Sequence, residues 1–179
     1  MKKQMIKILG LLFLLALPLS FVSCGEQSSM DKKTAEMLEK RYGKVVSVDL
    51  SQSGTLSKAI KEATEEENIP YLRISGPING ADIDSLKEIS HFIRALDLLD
   101  ATIESDVPYH DYKDEKEISE DNVIGEDMLN FNRLEHIYLP IATTKIEDNA
   151  FSYCSNIETI RIPSNVVSIG SRAFHGCYR

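Results

Sequence analysis

A repeat of 23 residues at the carboxyl end is the feature that most constrains what this chain can fold into. The two copies are residues 134–156, LEHIYLPIATTKIEDNAFSYCSN, and residues 157–179, IETIRIPSNVVSIGSRAFHGCYR, and they align without a gap. A fixed period of this length indicates stacked copies of one supersecondary unit. The matched pairs are Leu134/Ile157, Glu135/Glu158, Ile137/Ile160, Leu139/Ile162, Pro140/Pro163, Ile146/Ile169, Ala150/Ala173, Phe151/Phe174 and Cys154/Cys177.

Each unit opens with apolar residues in an L-x-x-L-x-L pattern, which predicts a short strand. Side chains alternate along a strand, so the last two apolar residues point to one face and the residue between them to the other. One unit cannot bury its apolar face alone, so we expect a parallel ladder of strands about 4.8 Å apart. The same triplet recurs upstream at Ile69, Leu72 and Ile74, at Ile93, Leu96 and Leu98, and more weakly at Val45, Val48 and Leu50.

Helical patterns join the triplets in the amino-terminal half. Apolar residues at helical spacing predict a helix over residues 55–67 and another over 82–92, the second with Asp82 as its amino-terminal cap. A further helix is predicted over residues 30–42, capped by Asp31. Strands alternating with helices in this way predict an α/β solenoid with helical connections in its first half and 23-residue repeats at its end.

The first 23 residues have the pattern of a bacterial export signal. Lys2, Lys3 and Lys7 precede an apolar run over residues 8–19. The run is shorter than the roughly 20 residues that a membrane-spanning helix needs, which favours a cleaved signal peptide over a transmembrane anchor.

Cys24 is the predicted lipidation site. The segment LSFVSCG over residues 19–25 resembles a bacterial lipobox, in which an apolar and a small residue precede the acylated cysteine. Each buried methylene of such an acyl chain contributes about 0.8 kcal/mol, so lipidation holds a domain on a membrane without a spanning helix. The predicted organisation is a signal peptide over 1–23, a tether over 24–29, an amino-terminal capping region over 30–68 and repeats over 69–179.

The predicted mature chain is strongly acidic. The whole chain has a net charge of −8, and loss of three lysines with the signal peptide takes it to −11. Such a charge disfavours nucleic acid and anionic membrane surfaces as partners.

An acidic insertion near residues 102–122 interrupts the repeats, because the triplets at Ile93 and Leu134 are 41 residues apart. A calcium site is conceivable, but the D-x-D-x-D-G pattern is absent, which favours a solvated acidic loop. Two tyrosines make it a candidate contact loop. Its relevant residues are Glu104, Asp106, Asp111, Asp114, Glu115, Glu117, Glu120 and Asp121, with Tyr109 and Tyr112.

The sequence predicts no catalytic, metal or cofactor site. Motifs such as G-x-S-x-G, a glycine-rich phosphate loop and H-E-x-x-H do not occur. His136 is expected on the exposed strand face as a solvated side chain. Cys154 and Cys177 share one repeat position, which favours two stacked thiols over a disulfide, and two cysteines fall short of the four ligands of structural zinc.

The repeat motif resembles that of the BspA-like leucine-rich-repeat proteins, and the resemblance covers roughly residues 50–179. It is carried by Leu-Pro or Ile-Pro followed by Ile-x-x-x-Ala-Phe-x-x-Cys in both carboxyl-terminal units, and by Gly54-Thr55-Leu56 upstream. The resemblance implies a short leucine-rich-repeat array on an outer-membrane lipoprotein that faces outward. It implies adhesion or protein interaction and no reaction.

The predicted function is therefore protein or glycan binding by a membrane-anchored surface lipoprotein. The alternatives are an enzyme or accessory factor with a carboxylate site in the insertion, and a truncated repeat protein without independent activity. Binding is expected on the ladder face that carries tyrosine and arginine, which are frequent interface anchors. Arg73 and Asp97 are alternatively a pair on neighbouring rungs. The face consists of Tyr71, Arg73, Asp97, His136, Tyr138, Thr159 and Arg161.

Overall fold

The structure is a computed structural model that describes residues 30–66, 68–111, 113, 115–118 and 120–179. The predicted signal peptide, Cys24 and the tether lie outside these residues, as do Tyr112 and Asp114 of the insertion. Within the described ranges, no helix has both the length and the apolar character that crossing a membrane requires.

Strands and helices alternate along the first half, and strands with turns make up the second. The helices are α1 (Lys32–Tyr42), α2 (Leu56–Ala63) and α3 (Gly80–Ile89). In chain order the strands are β1 (Val46–Asp49), β2 (Tyr71–Ile78), β3 (Ala95–Asp97), β4 (Ala101–Ile103), β5 (Tyr109–His110), β6 (Lys116–Glu117), β7 (Val123–Ile124), β8 (His136–Tyr138), β9 (Lys145–Ile146), β10 (Thr159–Arg161) and β11 (Ser168–Ile169).

A parallel sheet runs in the order β1-β2-β3-β8-β10, with β4 beside the second half of β2. The middle apolar residues of the triplets are in register, because Leu72 pairs with Leu96, Leu96 with Ile137, and Ile137 with Ile160. The first three of these are fully buried, whereas Ile160 on the last rung is partly buried. The parallel ladder predicted from the triplets is confirmed, and β1 extends it into the segment expected as a cap.

A second parallel sheet has the order β11-β9-β7, so the two carboxyl-terminal units contribute one strand to each sheet. In the turns that follow β9 and β11, the rings of Phe151 and Phe174 stack with centroids 5.3 Å apart and planes 3° from parallel. Equivalent residues of consecutive repeats therefore lie one above the other, as in a solenoid-like α/β fold.

Helix α1 begins and ends where local sequence signals place it. The Asp31 carboxylate accepts a hydrogen bond from the Thr34 amide at 3.0 Å, which satisfies a free donor of the first turn. Gly43, with φ of +91°, ends the helix, and its amide donates to the Glu39 carbonyl.

The helix predicted over residues 82–92 is α3, which starts two residues earlier than expected. Its amino-terminal cap is Asn79 rather than Asp82. The Asn79 side chain accepts from the Ala81 amide at 3.1 Å, and Asp82 occupies the third helical position in a capping box. The Asp82 carboxylate also accepts from the amides of Gly54 and Leu56, at 2.6 and 2.8 Å. One buried carboxylate therefore joins the starts of α2 and α3.

The insertion forms a short hairpin of β5 and β6 that packs on α3. The Tyr109 ring is buried and its hydroxyl donates to the Glu126 carbonyl at 2.7 Å, so its expected role in a contact loop is wrong. His110 Nδ1 lies 2.7 Å from the Asp84 carboxylate, and the Lys87 ammonium donates to the His110 carbonyl. These contacts hold the hairpin in place.

Candidate functional site

Helix α1 lies across the strand face that the sequence identifies as a binding surface. Leu38 of α1 is fully buried in a cluster with Tyr71, Ala95, Leu99 and Tyr138. Tyr71 and Tyr138 are only 0% and 6% exposed. The expectation that these side chains project into solvent is wrong, because the apolar side of the helix covers them.

The seven residues of the predicted binding face separate into a covered part and an open end. Tyr71, Asp97, His136 and Tyr138 are buried, Arg73 is partly buried, and Thr159 and Arg161 are exposed. The Arg73 guanidinium donates to the Asp97 carboxylate at 2.8 Å, which is the rung-to-rung pair considered as the alternative. Thr159 and Arg161 remain accessible, and their role in binding stays a prediction.

Arg41, near the end of α1, binds two carboxylates that directly precede strands β8 and β10. Its two terminal nitrogens lie 2.7 Å from carboxylate oxygens of Glu158 and Glu135. The hydrogen bond from Arg41 lowers the pKa of Glu158 to about 2. The Tyr42 hydroxyl adds a hydrogen bond of 2.9 Å to Glu135. The helix is therefore held by apolar contact at Leu38 and by charge at its end.

His136 lies next to the Arg41 guanidinium and is only 4% exposed. The prediction of a solvated surface histidine is therefore wrong. Its Nε2 atom is 3.3 Å from an Arg41 nitrogen, and Nδ1 has no hydrogen-bond partner among the described residues. Burial lowers the pKa of His136, and the Arg41 charge lowers it further. The ring is therefore kept neutral near physiological pH.

A second surface shares no residue with α1. It is a polar groove of about 930 Å³ between the β5–β6 hairpin and the turns of the carboxyl-terminal repeats. We call it the acidic groove and define it by Asp111, Lys113, Glu115, Glu117, Glu126, Asp127, Asn149, Tyr153, Arg172 and His175.

Repeat turns place side chains of the acidic groove in a column. Asp127, Asn149 and Arg172 precede the Met128-Leu129, Ala150-Phe151 and Ala173-Phe174 pairs of successive turns, and their φ angles are 51°, 54° and 55°. Non-glycine residues adopt this left-handed backbone rarely, and such residues concentrate at functional sites.

Carboxylates give the groove its electrostatic character. Oxygen atoms of Asp111, Glu115 and Glu117 all lie within 4.8 Å of one another, and carboxylate oxygens are ligands that divalent cations accept. Asp127 is 5% exposed, and burial raises its pKa, as do the charges of Glu126 and Asp111. The insertion therefore contributes carboxylates to the acidic groove, whereas the sequence indicates only a solvated loop.

The two repeat cysteines are free thiols, as the sequence favoured. Cys154 Sγ donates to the Leu129 carbonyl at 3.2 Å, and Cys177 Sγ donates to the Phe151 carbonyl at 3.3 Å. Burial raises the pKa of Cys154 to about 12 and also raises that of Cys177. Both thiols are thus poor nucleophiles that satisfy backbone carbonyls of the preceding turn.

Sequence reasoning missed both the cover over the strand face and the groove. A signal for the cover exists, since Leu38 and Tyr42 are four residues apart on a helix whose other residues are mostly polar. A signal for the groove is the repeated position before each Ala-Phe pair, at Asn149 and Arg172.

Comparison with known families gives one finding. A family model described as a BspA type leucine rich repeat region (6 copies) matches residues 118–179. No curated protein matches the chain.

Proposed function

Because the chain is a BspA-like leucine-rich-repeat protein, we propose that its repeats form a solenoid that binds a protein or glycan at the cell surface. One observation carries this proposal: the strands keep register, so the turn positions Asp127, Asn149 and Arg172 become one column along an accessible groove. Stacking of this kind gives repeat proteins extended interaction surfaces. Catalysis is not part of the proposal.

The binding surface in this proposal is the acidic groove together with Thr159 and Arg161, since α1 covers the rest of the predicted face. The purified full chain, fluorescently labelled, is to be applied to arrays of extracellular proteins and of glycans. We expect saturable binding to a member of one array. Absence of saturable binding on both arrays contradicts an interaction function.

Membrane attachment in the proposal depends on Cys24, supported by the lipobox-like segment and the apolar run before it. In a Gram-negative host, radioactive palmitate is expected to label the wild-type chain and not the Cys24→Ala variant. Cys177→Ala serves as the control, because it removes a cysteine from the last repeat and should leave labelling unchanged. Equal labelling of Cys24→Ala and wild type rules out lipidation at this residue.

We propose that the acylated chain is located in the outer membrane and faces outward. Protease treatment of intact cells, followed by immunoblotting, tests the orientation. Degradation without cell lysis supports an outward orientation, and full protection contradicts it.

A further inference from the structure

We propose that helix α1 is a detachable cover, and that protonation of His136 releases it from the strand face on which it lies. We call this surface the covered face. None of its residues belongs to the acidic groove, so the release acts on a different part of the molecule. The residues of the covered face, which pack around Leu38 of α1, are Tyr71, Ala95, Leu99 and Tyr138.

Helix α1 has little contact to hold it in place. Of its eleven residues only Leu38 is buried, and seven are exposed. An isolated helix of this length is marginal in water, so α1 depends on its contact with the ladder. Gly43 ends the helix with φ of +91°, and a Cβ atom there would meet nothing within 4 Å. This exposed glycine is therefore a suitable hinge for the helix.

Removal of α1 leaves the main core of the ladder intact. The main core includes Leu72 and Leu96, and it is a separate apolar cluster that does not contain Leu38. Polar groups beside the covered face also have partners on their own strands. The Arg73 guanidinium donates to the Asp97 carboxylate at 2.8 Å and to the Tyr71 hydroxyl at 3.1 Å. Release of α1 therefore exposes a preformed surface and leaves the sheet folded.

His136 lies between α1 and the ladder in an arrangement that favours the neutral ring. An arginine side chain has donors and no acceptor, so Nε2, which is 3.3 Å from an Arg41 nitrogen, must accept the hydrogen bond. The proton of the neutral ring is then on Nδ1, which is buried and has no partner in the described part of the chain. A second proton can bind only at Nε2. There it removes the acceptor of Arg41 and places two cations side by side.

The groups that face His136 act on it in opposite directions. Burial and the Arg41 charge lower its pKa, whereas two glutamates raise it, and the net effect is a lowered pKa. These glutamates also bind other arginines, Arg94 at 4.0 Å and Arg179 at 2.9 Å, which weakens their effect on the ring. The titratable and charged groups that face the ring are Arg41 and Tyr42 of α1, Glu135 before β8 and Glu158 before β10.

Release of α1 changes this balance. The burial and the Arg41 charge disappear while the glutamates remain, so the pKa of His136 returns towards its ordinary value of 6.5. The released state binds the proton more readily, and acid therefore favours release. Docking of α1 has its full strength above pH 6.5 and weakens as the pH falls below this value. The pKa of Glu158 is lowered from 4.5 to about 2, so its contribution to docking is lost only in stronger acid.

Amide hydrogen exchange of the purified full chain, followed by mass spectrometry, tests the release at about pH 7.5 and about pH 5.5. After correction for intrinsic exchange rates, the protection of α1 is expected to fall by about threefold to tenfold at the lower pH, because one proton separates the docked and released states. The internal reference is α2, which packs against β1 and α3. Its protection should change by less than about twofold.

Three variants assign the pH dependence. His136→Gln keeps an acceptor for Arg41 but does not titrate, so the protection of α1 should agree within about twofold at the two pH values. The matched control is His175→Gln, which removes an exposed histidine of the acidic groove and should keep the wild-type pH dependence. Leu38→Ala removes the buried apolar contact of α1, so protection should fall more than about tenfold already at neutral pH.

Thiol labelling, quantified by peptide mass, measures whether the covered face itself opens. Ala95 is fully buried under α1, whereas Thr159 is an exposed residue two strands further along the same row of the ladder. The labelling rate of Ala95→Cys divided by that of Thr159→Cys at the same pH cancels the effect of pH on the thiol. This ratio is expected to rise at about pH 5.5 by the factor by which the protection of α1 falls.

Four results overturn the proposal. Unchanged protection of α1 in the wild-type chain means that acid does not release the helix, and this comparison needs no variant. A wild-type pH dependence in His136→Gln assigns the effect to another group. Equal loss of protection in α1 and α2 means that the whole chain loosens. Loss of protection in α1 without a rise in the thiol ratio means that the helix unfolds while the face stays covered.

Discussion

Replacing Tyr138 by alanine is expected to lower the free energy of unfolding by about 3–5 kcal/mol, the range for large aromatic truncations in a core. The sequence presents this residue as a ligand contact, but the ring is 6% exposed and packs with Leu38 and Tyr71 under α1. Removing the ring leaves a cavity between α1 and the sheet, and the loss of its apolar contacts destabilises the folded state. Urea denaturation followed by circular dichroism measures the change.

Arg161→Ala is the matched control, because Arg161 is the in-register neighbour of Tyr138 on the next rung and is exposed. Its expected effect is within about 0.5 kcal/mol. If Tyr138→Ala is as mild as Arg161→Ala, then α1 does not pack on the sheet in solution. The strand face would then be open and the binding surface predicted from the sequence would stand.

Gly76→Ala is the second substitution with a large expected effect, a loss of at least about 3 kcal/mol of stability. Its φ of +85° costs an alanine about 1–2 kcal/mol by itself. In addition, a Cβ atom at this position would lie 2.0 Å from the Leu50 carbonyl oxygen. That oxygen belongs to the backbone beside β1, so the end of the β1–β2 pairing must move.

Gly43→Ala isolates the backbone contribution. Gly43 has a similar φ of +91°, and a Cβ atom there would meet nothing within 4 Å. Its expected loss is about 1 kcal/mol. In a thermal melt, 1 kcal/mol corresponds to about 2–4 °C for a chain of this size, so Gly76→Ala should melt at least about 4 °C below Gly43→Ala. Melting temperatures that coincide would show that the β1–β2 contact yields without cost.

Much of the fold follows from the sequence because its signals are local or periodic. The 23-residue period places Ile137 and Ile160 in register, and the upstream triplets extend the same ladder to Leu72 and Leu96. The bounds of α1 follow from Asp31 and its neighbours, since a cap acts on amides within the first turn of its own helix.

The structure of the acidic insertion does not follow from the repeat period, because the insertion interrupts the repeats. Tyr109 lies in a stretch rich in acids, and neither the charge pattern nor the spacing indicates that its ring is buried. Its burial results from the approach of the hairpin to α3, through His110, Asp84 and Lys87. These contacts join segments more than 20 residues apart, which no local rule relates.

The sequence alone determined that this chain builds a parallel ladder of repeats and which side chains share each face of it. Only the tertiary structure decided which faces solvent can reach. Because side chains alternate along each strand, the triplet pattern places Tyr71 and Tyr138 on the same face of the ladder. The pattern does not indicate that α1 covers these side chains, or that the stacked turns place Asp127 and Tyr153 near the β5–β6 hairpin. Face assignment depends on the geometry of one strand, whereas exposure depends on apolar burial summed over elements that are distant in sequence.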